Sequence, residues 1–162
     1  MRISLFMKHQ AEPCVANNYH NEIAHLIVSS HLKLTGKILI SVDGLLHEHV
    51  SLGRLLYEAP FAILAHDRGE DPVFFYGNLK AQEVFEMKWS ELIQLPSRNS
   101  AEFTNQAARQ YLLDQVAAKG FIDNYTGTRI SKTGRKFQIE NATVWNLLNQ
   151  DNEHIGQAAT FK

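Results

Sequence analysis

The sequence contains one cysteine, four prolines and almost no excess charge of either sign. The single cysteine, Cys14, excludes an intramolecular disulfide and every metal or iron–sulfur site that needs several cysteines. With 16 basic and 17 acidic residues, the formal net charge is -1, which argues against a direct nucleic-acid binder or a polybasic membrane anchor. No apolar run approaches the ~18 residues of a membrane span, and Lys8 and His9 interrupt the region where a secretory leader is apolar. These absences predict a cytoplasmic protein with no membrane partner.

What is present is the composition of a globular domain, with 162 residues of which 44% are apolar and 20% charged. A chain of this length predicts one domain, or one domain with an extension. Apolar positions recur at three- and four-residue steps from Val15 to Leu34, which is the period of an amphipathic helix, and Gly36 is suited to end it. The pattern changes at Pro60. We therefore expect an N-terminal helical extension over residues 1–59 and a second unit over residues 60–162.

The second unit contains both strand-like and helix-like segments. The predicted strands are Phe61–Ala65, Val73–Tyr76, Phe121–Ile130, Arg135–Leu148 and Glu153–Phe161. The predicted helices are Leu79–Phe85, a segment capped by Ser90 that ends at Leu95, and a longer one capped by Ser100 that carries Phe103 and ends at Lys119. Strands separated by a helical block predict an α+β fold with a mostly antiparallel sheet.

The turn Lys132-Thr133-Gly134 sets the register of the last long hairpin. A three-residue hairpin loop commonly ends with a left-handed residue, usually glycine, so Arg129 lies opposite Phe137 and Tyr125 opposite Asn141. The odd-numbered face carries more aromatic side chains, and we expect it to face the core beneath the helices. A slip of one residue would reverse this assignment.

The same assignment points four polar side chains inward, namely Asp123, Arg129, Asn141 and Thr143. Burying such groups unpaired costs on the order of 1–3 kcal/mol each, and more for a charge. They therefore either pair internally or line a cavity that holds water or a ligand. Two alternatives stay open at this point: Arg129 at the sheet edge with its charge in solvent, and Asn141 bonded to Tyr125.

Motifs for catalysis and metal binding are missing from the sequence. It has no glycine-rich phosphate loop, Gly-x-Ser-x-Gly elbow or His-Glu-x-x-His pair. His47 and His49 could share a face only on a strand, and their segment looks helical or looped, so no metal site is predicted. A small enzyme with Asp123 as base and Arg129 or Tyr125 as polarising group is a weaker alternative, because a catalytic carboxylate needs a closed apolar pocket to raise its pKa.

Several stretches match family motifs. They are Phe61–Asp67, Val73-Phe-Phe-Tyr-Gly-Asn78, Trp89–Leu95, Gly134–Glu140 and Asp151–Gly156, and together they resemble the PAS family of sensor modules. With the N-terminal helix included, Leu95–Arg98, Gly120–Ser131 and Ile139–Leu147 resemble the MEKHLA domain, a PAS-like module. The resemblance implies a five-stranded antiparallel sheet with helices on one face, preceded by the helical extension.

The resemblance also implies a sensory or regulatory module that is not an enzyme. Photoactive flavin-binding PAS domains carry a cysteine early in the helical block, whereas Pro96–Asn99 is followed here by Ser100. Those domains also place asparagines on the two hairpin strands, at positions that match Arg129 and Ile139. No cofactor is therefore assigned. A small anion fits better, because guanidinium binds carboxylate or phosphate through a two-point fork.

The candidate ligand-binding residues are Tyr76, Asn78, Tyr125, Arg129, Asn141 and Thr143. We also expect a homodimer, formed by the N-terminal helix and by apolar residues of the outer sheet face, Ile122, Ile130 and Val144. The alternative function is a ligand-free protein-interaction module with a filled core.

Overall fold

The computed structural model describes residues 10–41, 50–101 and 106–162. Five strands, β1 (Ala62–Asp67), β2 (Phe74–Gly77), β3 (Phe121–Ile130), β4 (Lys136–Leu148) and β5 (His154–Phe161), form one antiparallel sheet in the order β2-β1-β5-β4-β3. The helices are α1 (Asn21–Thr35), α2 (Leu52–Tyr57), α3 (Leu79–Phe85), α4 (Trp89–Leu92) and α5 (Gln106–Lys119). The predicted fold class is confirmed. In the described segments, no helix has the length and apolar character needed to cross a bilayer.

Helix α1 begins later than predicted, at Asn21, because Val15–His20 forms a separate 3-10 segment that contains left-handed residues. Two predicted caps are also wrong. Helix α1 ends at Gly36, whose φ of 72° is the left-handed conformation expected of a terminal glycine. Helix α4 is preceded by Lys88 rather than capped by Ser90, because Glu91 accepts a hydrogen bond from the Lys88 backbone N–H at 2.9 Å.

Ser100 does not cap α5. It ends a short 3-10 turn, Ser97–Ser100, and its hydroxyl donates to the Ser97 carbonyl at 2.6 Å. The next residue, Ala101, forms a β-bridge to Arg129. The chain is therefore held at the edge of β3 before α5 starts, and Phe103, predicted to lie in this helix, is outside the described residues.

The two faces of the sheet pack against different parts of the chain. Helices α1 and α2 cover the face that we call the outer face, where the core contains Ile23, Ile27, Leu56, Ile63, Ala65, Trp145 and Leu147. Helices α3 and α4 cover the inner face, with Ala62, Leu64, Phe74, Phe85, Leu92, Ile139, Ala142 and Phe161. The N-terminal extension is thus a packed layer of the fold.

Trp145 and Ser30 fasten α1 to the outer face. The Trp145 indole N–H donates to the Ile27 carbonyl at 3.2 Å, and the His31 ring meets the indole edge-on with centroids 4.7 Å apart. The Ser30 hydroxyl accepts from the Leu148 backbone N–H at 2.9 Å. These contacts join one helix to one strand by both polar and apolar groups.

The β3–β4 hairpin changes face partway along its length. Near the turn, Gly127 pairs with Ile139 and Arg129 with Phe137, as predicted. Farther from the turn, Tyr125 pairs with Ala142 instead of Asn141. The pairing shifts because Asn124 and Asn141 take left-handed backbone conformations, with φ of 55° and 51°, and form bulges that shift the alternation by one residue.

Odd-numbered residues therefore face inward near the turn and outward near the base of the hairpin. Ile122 pairs with Val144, and Val144 lines the interior, so both belong to the inner face. The predicted dimer surface is wrong for these two residues. The outer face of β4 is instead occupied by α1 through Trp145.

Candidate functional site

A cavity of about 460 Å³ lies between the inner face of the sheet and helices α3 and α5. Its apolar lining includes Leu64, Phe74, Phe85, Leu112, Ile139, Val144, Ala159 and Phe161. Its polar lining includes His66, Ser97, Arg98, Ser100, Tyr125, Thr128, Arg129, Gln138 and Gln157. No acidic residue lines it in the parts of the chain that are described. Concave, mostly apolar sites with a few polar groups are where small molecules bind.

Arg129 is a half-buried cation in this lining. Its guanidinium lies over the Tyr125 ring, 5.6 Å from the ring centroid, and Nη1 donates to the Thr128 carbonyl at 3.0 Å. Gly127 leaves room for this arrangement, since a Cβ at that position would lie 2.8 Å from the Tyr125 Oη. Tyr125 and Arg129, both candidate ligand-binding residues, are therefore neighbours in the cavity lining.

The second arginine of the lining, Arg98, already has an acidic partner. Its Nε and Nη2 donate to the two Asp71 carboxylate oxygens at 2.8 and 3.2 Å. By contrast, Arg129 forms no ion pair with any described carboxylate. The uncompensated positive charge in the described lining is that of Arg129.

The tip of the β3–β4 hairpin is fastened to the end of α3. The Lys132 backbone N–H donates to the Phe85 carbonyl at 3.0 Å, and the Arg135 Nη2 donates to the Val84 carbonyl at 2.8 Å. The Ser131 hydroxyl donates to Glu86 at 2.6 Å and holds the pKa of that carboxyl below its ordinary value. Phe85, at the end of α3, is part of the cavity wall.

Asn78, predicted to bind ligand, is fully buried and bonded to backbone. Its Oδ1 accepts from the N–H groups of Ile63 and Ala81, both at 3.0 Å. Its Nδ2 donates to the carbonyls of Leu56 at 3.1 Å and Phe61 at 2.8 Å. The side chain thus joins α2, β1 and α3, and it does not line the cavity.

Tyr76 lies in the core with α1 and α2 rather than in the cavity lining. Its ring meets the Trp89 ring edge-on, with centroids 5.8 Å apart. Burial raises the pKa of its hydroxyl, which has no hydrogen-bond partner within the described segments. Tyr76 is thus a core aromatic, and it does not line the cavity.

Asn141 and Thr143 are also outside the cavity lining. Asn141 is exposed at its bulge. The Thr143 hydroxyl donates to Asp123 at 2.9 Å, and Lys37, which follows α1, pairs with the same carboxylate at 3.4 Å. Asp123 therefore belongs to the outer side of the hairpin, apart from Arg129 and Tyr125, and the base proposed for an enzyme does not meet its polarising partners.

Sequence reasoning missed His66 and Gln157. These residues face each other across β1 and β5 and both line the cavity. Polar side chains in otherwise apolar strands were the available signal, but their shared register depends on how β1 pairs with β5, which lies far along the chain.

The fold is that of PAS and light-oxygen-voltage domains. A PAS domain from Colwellia psychrerythraea matches with a TM-score of 0.59 and 12% identity, over 67% of this chain and 90% of that chain. The light-oxygen-voltage domain of a blue-light activated histidine kinase from Erythrobacter litoralis gives 0.54 and 17%, over 64% and 94%. The light-state dimer of the fungal blue-light photoreceptor Vivid gives 0.51 and 9%, over 64% and 77%.

The model of the MEKHLA domain family matches residues 21–162. The chain therefore belongs to the MEKHLA domain family, as its motifs predicted. No curated protein matches it. The family match starts at the first residue of α1, so it includes the helix that covers the outer face of the sheet.

Proposed function

We propose that this MEKHLA protein is a non-catalytic sensory or regulatory module that binds a small anionic ligand inside its PAS-like domain. In this proposal residues 60–162 form the sensor unit, and the extension up to residue 59 covers its outer face. The observation that carries the proposal is the cavity of about 460 Å³, lined by Arg129 and by no described acidic side chain. A core built only for packing is dense and has few voids larger than a water molecule.

Two alternatives have less support. A ligand-free interaction module would be expected to have a filled interior, which the cavity does not favour. An enzyme needs an acid or base close to the reacting atoms and to a polarising group. Asp123, the carboxylate predicted for that role, is held instead by Thr143 and Lys37.

Native mass spectrometry of the protein purified from its own host tests the proposal. We expect an additional bound mass, released on denaturation. A matched Ala159→Leu variant should lack it, because Ala159 lines the cavity on the central strand β5 and a leucine there would fill part of the space. The wild-type protein could carry no bound mass, and no compound in a small-molecule panel could bind wild type yet fail to bind Ala159→Leu. In that case the ligand-free interaction module is the better description.

Association into a homodimer is the route we propose for output. Vivid, which shares the fold, forms a light-state dimer. Here the partner would meet the exposed side of α1 and the segment after it, where Leu32 and Ile38 are 48% and 72% exposed. Light scattering over a range of concentrations should show a dimer, and Leu32→Glu should shift it toward monomer. A monomer at every concentration would contradict this part.

A further inference from the structure

The charges around the cavity restrict what it can hold. Every charged side chain in the described lining is basic, and Asp71 already neutralises Arg98. The remaining charge is that of Arg129, which is half-buried. A partly buried charge is stabilised by a counter-charge. One cation of this kind favours a ligand with one negative group and disfavours ligands with two or three.

The donors of Arg129 suit a planar acceptor. Stacking on Tyr125 at 5.6 Å holds the guanidinium, and Nη1 is used by the Thr128 carbonyl. Nε and Nη2 donate to no acceptor among the described residues, which leaves two neighbouring donors on one edge of the group. Carboxylates accept such paired donors in a two-point geometry.

The rest of the cavity suits an apolar body. Phe74, Phe85, Leu112 and Phe161 lie in its wall. Ala159 faces the cavity from the central strand β5, and its small side chain leaves space there that a larger one would fill. The volume of about 460 Å³ is about three times that of a cavity that holds one benzene ring. An acyl chain of about ten carbons, or a compound of two or three rings, is of that order.

We propose that the ligand is an apolar monocarboxylate, with its carboxylate on Arg129 and its body against Phe85, Leu112 and Phe161. The assignment rests on the ligand-binding function proposed above and narrows it to one chemical class. Short di- and tricarboxylates such as citrate lack the apolar body, and every di- or tricarboxylate carries charge for which the described lining has no free cation. Neutral lipids lack the group that Arg129 would hold.

The test compares three probes by isothermal titration calorimetry at pH 7.5: decanoate, kept below its micelle concentration, 1-decanol, and citrate. Decanoate shares its chain with decanol and its carboxylate chemistry with citrate. We expect decanoate to bind at least about tenfold more tightly than decanol, since a charge-assisted hydrogen bond is worth a factor of this size, and more tightly than citrate, which lacks the apolar chain. Arg129→Gln should remove the advantage over decanol and leave decanol binding unchanged.

Arg54→Gln is the matched control. Arg54 lies on α2, on the other side of the sheet, with its guanidinium 5.7 Å from the Tyr19 ring, as Arg129 lies over Tyr125, but it is exposed and does not line the cavity. This variant has the same change in net charge and should bind decanoate like wild type. An equal loss in both variants would show a general electrostatic effect and would overturn the assignment.

Other outcomes separate the two proposals. If decanol or citrate binds as well as decanoate, and Ala159→Leu blocks that binding, the cavity binds ligands but the monocarboxylate assignment is wrong. If decanoate does not bind wild-type protein at all, the assignment is also wrong. The ligand-binding function itself fails only if the native mass spectra and the compound panel are negative as well.

Discussion

The outer face of the sheet is filled by α1 and α2, whereas the inner face leaves a cavity of about 460 Å³ beside β3. Both faces use the same five strands. On the outer face, the polar groups that join α1 to β4 are paired, as the Trp145 indole is with the Ile27 carbonyl and the Ser30 hydroxyl with the Leu148 backbone N–H. On the inner face, Arg129 lacks a described counter-charge. The contrast supports the proposal that the outer face maintains the structure and the inner face binds the ligand.

The largest expected effect is on packing. Leu147 is fully buried against α1, so Leu147→Ala should lower the free energy of unfolding by about 4 kcal/mol. Leu112→Ala is the matched substitution on the inner side, where the side chain already borders a cavity, and should cost less than about 1.5 kcal/mol. Urea denaturation of both variants measures the difference. Equal losses would remove the contrast between the two faces.

Asn78 tests whether a buried polar group serves structure rather than binding. Asn78→Ala removes the side-chain partner of four backbone groups and should cost at least about 3 kcal/mol. Ser51→Ala, which removes an exposed helix cap from α2, should cost about 1 kcal/mol. A loss of ligand binding in Asn78→Ala with unchanged stability would restore the role predicted from sequence.

The bulges that let the hairpin change face can be tested at Asn141. Its φ of 51° suits glycine, and asparagine tolerates it better than alanine does. Asn141→Ala should therefore cost about 1 kcal/mol, whereas Asn141→Gly should stay within about 0.5 kcal/mol of wild type. Equilibrium denaturation provides both values. Equal stability of the two variants would mean that the left-handed conformation is not required.

The smallest effect concerns the pH dependence of the outer face. Burial beneath Trp145 lowers the pKa of His31 below its ordinary value of 6.5. The unfolded chain therefore binds the proton more readily, and stability should fall as the pH drops below about 6.5. His31→Gln can keep a donor toward the Lys37 carbonyl, which His31 contacts at 3.0 Å, and should make the profile between pH 7.5 and 5.5 shallower. A variant profile parallel to wild type would contradict this.

Local pattern was enough to predict most elements and the turn of the last hairpin. The turn Lys132-Thr133-Gly134 set the register correctly for Arg129, because that register depends only on loop length and on a glycine with positive φ. The predicted assignment of side chains to the two sheet faces is wrong beyond the bulge, because it assumes that they alternate without a break. Two asparagines at nearly opposite positions, 124 and 141, were the available sign of a bulge.

The roles of single polar residues were harder to predict, because they depend on distant partners. Ser100 has a side chain suited to capping, but Ala101 pairs with the edge of β3 before the helix begins. Asn78 bonds to backbone from three elements. The covering of the outer face by α1 depends on Trp145, and the shift in alternation at the bulge alters which side that residue occupies.

The shift at Asn124 and Asn141 has a mechanical consequence. The strand pair β3–β4 contacts the cavity through Arg129 and the N-terminal helix through Trp145, on opposite sides of the sheet. A ligand that displaced Arg129 would strain the β3–β4 pairing that also positions Trp145 against Ile27. In the proposed sensor, the β3–β4 hairpin therefore links the cavity directly to α1, and the two asparagine bulges lie between these contacts.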